Sequence, residues 1–342
     1  MTGRGDVVTL AHGSGGRLTR DLVESVFRSA FSNPALDAMG DSAALPRVDG
    51  RIAMTTDGFV VSPAFFPGGD IGRLAVNGTV NDLAVAGAVP LYLTAACVLE
   101  EGLPLADLRR VAASMADAAR AAGVAIVTGD TKVVEHGHGD GIFIVTAGLG
   151  RLREDAPPGE RALRPGHAVL VSGPVGDHGA VIAATRSGLD PAGDPDGGVR
   201  SDCAPVHHLV DALYAAGVRP VFMRDPTRGG LATVLAESAR AAGVTIEVRE
   251  DDLPIRDGVR GVCDVLGLDP LYLACEGRFV AVVEAADAAR AVLALRAVPG
   301  GSLAASIGSV IPKGPGPVLL RTGFGGRRVY DTLASDPLPR IC

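Results

Sequence analysis

Three stretches of the chain share one pattern: an alanine-rich run at helical spacing, the tetrapeptide Ala-Ala-Gly-Val at 121, 215 and 241, and a short apolar run. The glycine suits the left-handed residue that closes a helix, and the β-branched valine favours extended chain. Helix then strand, repeated, predicts an α/β fold. The plainest helix runs from Pro104 to Ala122, with Leu105, Leu108, Ala112, Met115 and Ala119 at helical spacing, proline in the first turn and Gly123 at the end. From 150 to 166 the chain turns polar and rich in Pro, Gly and Arg, which places a domain boundary there. The expected division is an amino-terminal domain over 1–150, a carboxyl-terminal α/β domain over 151–329 that opens with a strand at 168–173, and a flexible tail over 330–342. Residues 186–203 crowd turn formers and are expected as an exposed, mobile loop. The halves show no whole-domain repeat.

An apolar fraction of 47% and a charged fraction of 21% over 342 residues describe a soluble globular protein with room for two cores. With net charge −7, dispersed arginines and an aromatic fraction of 4%, the chain has no basic stripe or stacking surface, and nucleic acid is excluded as a partner. Leu83 to Leu99 is uncharged, but Gly87 and Pro90 divide it into a helix end and a strand, so no membrane span is expected. Cys97, Cys203, Cys263, Cys275 and Cys342 form no C-x-x-C pair, and the amino terminus has no signal-peptide core; a cytoplasmic protein is expected. His12, His136, His138 and His178 have glycine neighbours that suggest exposed loops.

The chemistry lies in repeated acidic turns. Asp41 in MGDSA, Asp57 in MTTDGF, Asp130 in VTGDTK and Asp225 in MRDPTRGG each sit among Gly, Ser or Thr, and the last three follow apolar runs, which places them at strand ends. Asn77 and Asp82 lie on an expected helix, VNGTVNDLA. One such aspartate is an ordinary turn residue; several that converge repel, by about 4 kcal/mol per pair at 4 Å and an effective dielectric near 20. Hard oxygen ligands without Cys or His point to Mg²⁺, which completes its shell with water and substrate phosphates. AHGSGGR (11–17) offers the backbone N–H groups of Gly13, Ser14, Gly15 and Gly16 to an anion, though no Gly-Lys-Ser/Thr makes it a Walker loop. Thr227 is placed to cap a helix whose amino end attracts phosphate.

AHGSGG, GDSA, TTDGFVVSPAFFPGGDIG, VNGTVNDLA, TGDTK, VSGPVGDHG, DPTRGGLATVL and the terminal PRIC together resemble the HypE family of carbamoyl dehydratases, from about residue 8 to the end. That family belongs with the aminoimidazole ribonucleotide and selenophosphate synthetases. The resemblance implies a two-domain PurM-like fold and a homodimer whose amino-terminal sheets join into a β-barrel. It also implies ATP held through Mg²⁺ near the domain and subunit junctions. It assigns metal or nucleotide roles to Asp41, Asp57, Asp82, Asp130 and Asp225, a polar contact to Asn77, and nucleotide contacts to Gly15, Gly16, Thr131 and Thr227. Lys132 and Glu276 match the pair beside the reacting tail. Cys275 stands where the family more often has Asn.

In that family the terminal cysteine, here Cys342, accepts a carbamoyl group from the carbamoyltransferase HypF. ATP phosphorylates its oxygen, and loss of phosphate leaves a thiocyanate whose cyanide passes to iron through HypC and HypD. An amide oxygen leaves poorly, so phosphorylation is the physical need for ATP. From Asp331 to Cys342 an extended chain reaches up to about 40 Å, against a radius of gyration of about 20 Å for a body this size. The tail therefore has the reach to visit a partner and return, and Pro337 and Pro339 keep it extended. Two other readings stand beside this one. One is another reaction of the superfamily, such as selenophosphate synthesis, although HGSGG carries no sulfur; the other is a binding module in which the aspartates are structural.

Overall fold

The chain builds two large sheets that share helices, with a two-stranded hairpin over residues 65–70, and the computed structural model describes residues 7–191, 198–335 and 338–342. The first sheet has four strands, β1 (Ile52–Phe59), β2 (Ala88–Glu100), β3 (Ala125–Val134) and β4 (Ile142–Leu152), in the order β1-β4-β2-β3. Helices α1 (Ile71–Val85) and α2 (Leu105–Ala122) pack on one face. β2 and β3 run parallel because α2 carries the chain back between them; the other pairs are antiparallel. The helix expected from Pro104 is α2, with Pro104 at its N-cap and Gly123 left-handed at φ 68°. The uncharged stretch 83–99 does divide at Gly87, where α1 has ended and β2 begins, and no helix among the described residues is long and apolar enough to cross a membrane.

Helix α1 is buried along nearly its whole length. The carboxylate of Asp70 starts it by accepting from the N–H groups of Gly72 and Arg73. Close packing then depends on missing side chains: a Cβ at Gly78 would lie 2.9 Å from the Phe59 ring, and one at Gly72 would lie 2.5 Å from the Val111 carbonyl. Across the sheet the opposite face is bare, with Ile52 and Met54 57% and 74% exposed and Val145 also open.

The second sheet has seven strands: β5 (Ala168–Val171), β6 (Phe222–Arg224), β7 (Thr245–Arg249), β8 (Val280–Val283), β9 (Ala305–Ile311), β10 (Val318–Arg321) and β11 (Arg327–Tyr330). Their order is β11-β10-β7-β9-β5-β8-β6. The central β5 and β8 are buried on both faces, which is why AVLV and VAVV show no alternation. The accompanying helices are α3 (Asp177–Arg186), α4 (His207–Ala215), α5 (Gly230–Ala242), α6 (Asp257–Leu266) and α7 (Ala288–Arg296). Gly217 and Gly243, the other two glycines of the repeated tetrapeptide, are left-handed as Gly123 is.

The cores interlock. Ala84 and Val85 of α1 enter the second core beside α4, while Ala180, Val181 and Ile182 of α3 enter the first. Residues 186–203 are only partly the exposed loop expected: Val199, Asp202 and Cys203 are buried against the first half, because they close the gap between α1 and the second sheet. The segment 192–197 of that expectation lies outside the described residues.

Asn81 is the polar bolt of this junction. Its Nδ2 donates to the carbonyls of Ala204 and Glu276 at 3.1 Å each, and its Oδ1 accepts from Val206 N at 2.8 Å. Asn81→Ala strands these backbone groups in a buried place, and urea denaturation is expected to show a loss of about 3 kcal/mol. A loss below about 1 kcal/mol would mean that the junction does not rest on this side chain.

Candidate active site

Four carboxylates from both halves meet beside α1. On β1, side chains alternate, so Thr55 and Asp57 face α1 and the even-numbered residues face away. Thr55 Oγ1 donates to Asp82 Oδ2 at 2.7 Å, and Asp57 Oδ2 lies 3.9 Å from the place a Gly78 Cβ would occupy. Asp225 directly follows β6, and Glu276 precedes β8. Burial, then Asp82 and Asp57, push Asp225 up to about 7. Burial raises Glu276 well above the usual carboxylate range, with Asp225, Asp202, Asp57 and Asp82 adding to it. Burial also raises Asp82, against the Thr55 hydrogen bond and Arg224 and Arg228. Asp57 is raised by burial and then by Asp82.

These residues suit a cation. Glu276 Oε1 and Asn77 Oδ1 are buried without a hydrogen-bond partner, and both are oxygens of the hard kind. Among the described residues no three carboxylates, thiols or imidazoles close on one point tightly enough to hold an ion by themselves. An ion here must then complete its shell with water or phosphate oxygens, which is the habit of Mg²⁺.

The chain terminus sits at the end of β1, three residues past Asp57. Val60 N donates to Cys342 O at 2.9 Å, and Arg340 Nε donates to Val60 O at 3.1 Å. His178 Nε2 meets Ile341 O at 2.8 Å, and Arg186 reaches the carbonyls of Pro339 and Arg340 at 2.7 and 2.5 Å. Ile341 is 3% exposed in the first core, and Cys342 is half-buried against it. So the tail expected to swing freely is seated here, although Pro337 lies outside the described residues.

Other expectations need correction. Asp57 and Asp130 lie within strands, not at their ends, because ladder pairing continues through Phe59 and Val134. Asp130 does not join Asp57. The register Asp130–Ala96–Val145–Gly58 puts it on the bare face, and β3 and β1 are opposite edges of the sheet, about 14 Å apart at three strand spacings. Lys132 therefore does not pair with Glu276 within one chain; it is 64% exposed and binds Asp130 at 2.7 Å. Asp41 is exposed in the chain before β1, away from the cluster. Thr227 is not the helix cap: left-handed Gly229 takes that position, and the Thr227 carbonyl accepts from Gly230 N.

A second group forms around a cavity of about 150 Å³ lined by Thr19, Val23, Phe27, Cys97, Asp130 and Thr131. Gly15 N donates to Thr19 Oγ1 at 3.0 Å, and Gly16 caps the helix that begins at Arg17, so the glycine loop borders this cavity. Its N–H groups are partly spent, since Gly13 N already donates to Leu10 O.

Sequence reasoning missed Asp202, Asn81, Arg186 and His178. Asp202 accepts from Glu276 N and Gly277 N and holds that turn in place. His178, expected in an exposed loop, is fully buried, because α3 turns it into the first core. Cys275, the departure from the expected Asn, is buried and its sulfur accepts from Gly176 N at 3.2 Å, which holds the turn before α3.

The crowding sets a sign for stability. Asp225 holds its proton up to about pH 7 when folded but releases it near the ordinary carboxylate value of 3.8 when unfolded, so stability falls as pH rises between these values. Asp225→Asn is therefore expected to raise the melting temperature of the ligand-free protein at pH 8 by several degrees and to flatten its pH dependence, while abolishing any stabilisation by Mg²⁺ and nucleotide. A lower melting temperature at pH 8 would contradict the assignment.

Two family models match the chain in succession. Residues 40–152 match the AIR synthase related protein N-terminal domain, and residues 164–319 match the corresponding C-terminal domain. Carbamoyl dehydratase HypE of Rhodobacter capsulatus is 50% identical over 350 residues, covering 100% of both chains. A crystal structure of hydrogenase maturation protein HypE in complex with ATP superposes with TM-score 0.92 at 46% identity, covering 98% of this chain and 99% of the other. A HypE chain in a HypE–HypF complex superposes at 0.77 with 44% identity, covering 91% and 99%. The chain belongs to the HypE family of carbamoyl dehydratases.

Proposed function

We propose that the chain dehydrates a carbamoyl group carried on Cys342 to a thiocyanate, with ATP as phosphoryl donor, and so makes the cyanide ligands of hydrogenase iron in the cytoplasm. The observation that carries this reading is the seat of the terminal cysteine at the end of β1, three residues from Asp57 of the acidic cluster. The balance is simple. The carbamoyl oxygen takes the γ-phosphoryl group and leaves as phosphate, the carbon–nitrogen bond becomes triple, and both nitrogen protons leave. ADP, phosphate and the S–C≡N group result.

Asp57, Asp82 and Asp225 are assigned to Mg²⁺, with Asn77 as neighbour. When bound, the ion supplies charge neutralisation for the phosphates. Glu276, raised by burial and with Oε1 unpartnered, is assigned to take a proton from the carbamoyl nitrogen. The half-buried setting of Cys342 against the core limits water at the sulfur. Asp130 and Thr131, which line the cavity beside Thr19, and Gly15 and Gly16 of the adjoining loop are assigned to the nucleotide. A homodimer closed through the bare face of the first sheet would bring Asp130 and Lys132 to the subunit junction, which is how Lys132 would reach a reacting tail. The division at 150 and 330, the donor HypF and the acceptor HypC–HypD belong to the same proposal.

Mass spectrometry of the carboxyl-terminal peptide, after incubation with ATP, Mg²⁺, carbamoyl phosphate and HypF, is expected to show a carbamoyl group on Cys342 and then the loss of one water. Cys342→Ala should fold, bind nucleotide and give no modified peptide. Modification at another residue in that variant overturns the assignment.

A further inference from the structure

The carbonyls of the last four residues are all hydrogen-bonded, and the Arg340 and Ile341 side chains add an ion pair and a buried contact. Arg186, at the end of α3, spans three carbonyls: Nε donates to Ser62 O at 2.7 Å, and its two terminal nitrogens donate to Pro339 O and Arg340 O. His178, two turns earlier on the same helix, binds Ile341 O, and its Nδ1 is fixed by Ser201 Oγ at 2.8 Å. One helix thus holds three consecutive tail carbonyls, and its arginine also holds the segment after β1 on which Cys342 rests. Arg340 turns the chain inward with left-handed φ of 57° and is itself tied to Asp140. Ile341 supplies the only deeply buried side chain of the segment.

The two ends of this clasp differ. His178 is fully buried, whereas Arg186 is exposed; packing of its guanidinium against the tail, and then Arg340, lower its pKa. Hydrogen bonds at an exposed site, with like charges nearby, make and break at small cost. A buried imidazole and isoleucine define where the tail sits; an exposed arginine governs how long it stays.

We propose that Arg186 is a positioning residue that sets the seated fraction of the tail, and so divides the time of Cys342 between the acidic site and a carbamoyl donor outside. This rests on the reaction proposed above. Its signature is opposite effects on two half-reactions: a weaker clasp favours accepting the carbamoyl group and disfavours dehydrating it. Loss of a fold-supporting residue slows both.

The test uses the full-length protein with Arg186→Gln and Arg186→Lys. Iodoacetamide alkylation of Cys342 is followed by peptide mass spectrometry, the other four cysteines being buried. For Arg186→Gln, which removes the charged donors to three carbonyls, alkylation at least about tenfold faster is expected, the scale of a single charged hydrogen bond being the minimum, with Arg186→Lys between it and the parent. Losing a nearby cation lowers the thiolate fraction and slows alkylation, so a faster rate reports release of the tail. Dehydration of the carbamoylated protein should slow by a similar factor, while carbamoyl transfer is as fast or faster. Unchanged alkylation in both variants, or a fall in both half-reactions together, overturns the proposal. If the parent protein never accepts a carbamoyl group, the proposed function fails, yet the alkylation rates still decide whether Arg186 holds the tail.

Discussion

Repulsion among crowded carboxylates is the constraint on which the rest of this structure depends. Burial raises Asp57, Asp82, Asp225 and Glu276, Asp82 further raises Asp57, and both aspartates add to the rise of Asp225 and Glu276. Such a cluster costs stability in the empty protein, at about 4 kcal/mol per pair for charges 4 Å apart and an effective dielectric near 20. Protons relieve it in part, and the divalent ion of the proposed function would relieve it further. The fold tolerates the cost because these groups are set on rigid elements: β1, the deeply buried α1, and the turns beside β6 and β8.

That arrangement explains why the two halves interlock. No single half owns the cluster: Asp57 and Asp82 come from the first, Asp225 and Glu276 from the second. Asn81 ties α1 to the turn carrying Glu276, and Asp202 holds that same turn from the other side. Cys342 accepts from Val60 N, one residue past β1, so the chain that carries Asp57 also meets the tail. In the proposed function this would fix thiol and acidic site relative to one rigid strand.

Local chemistry was legible in the chain; distant pairing was not. The repeated Ala-Ala-Gly-Val marks helix ends because a left-handed residue is needed there, and Gly123, Gly217 and Gly243 adopt that conformation. The sequence singled out Asp57 and Asp225 from Gly-, Ser- and Thr-rich surroundings and Asp82 from an expected helix, and the structure places all three on or beside α1. The separation of Asp130 and Lys132 from them was not legible, because it follows from strand order: β3 is adjacent in sequence to α2 but lies at the far edge from β1. Thr227 misled because a left-handed Gly229 does the capping that a side chain usually does. His178 and Arg186 carry no local signal at all, since their partners lie 163 and 153 residues further along the chain.

The central claim is that the terminal sulfur and a nucleotide-bound divalent ion occupy one site. Replacing Mg²⁺ by Mn²⁺ and placing a ¹³C-methylthio group on Cys342 measures this directly, because a paramagnetic ion broadens the methyl resonance steeply as the two approach. With ATP analogue and Mn²⁺ bound, strong broadening of that one resonance is expected, and it should be lost in Asp57→Asn with Asp225→Asn. A sharp methyl signal in the presence of tightly bound Mn²⁺ and nucleotide would contradict the account.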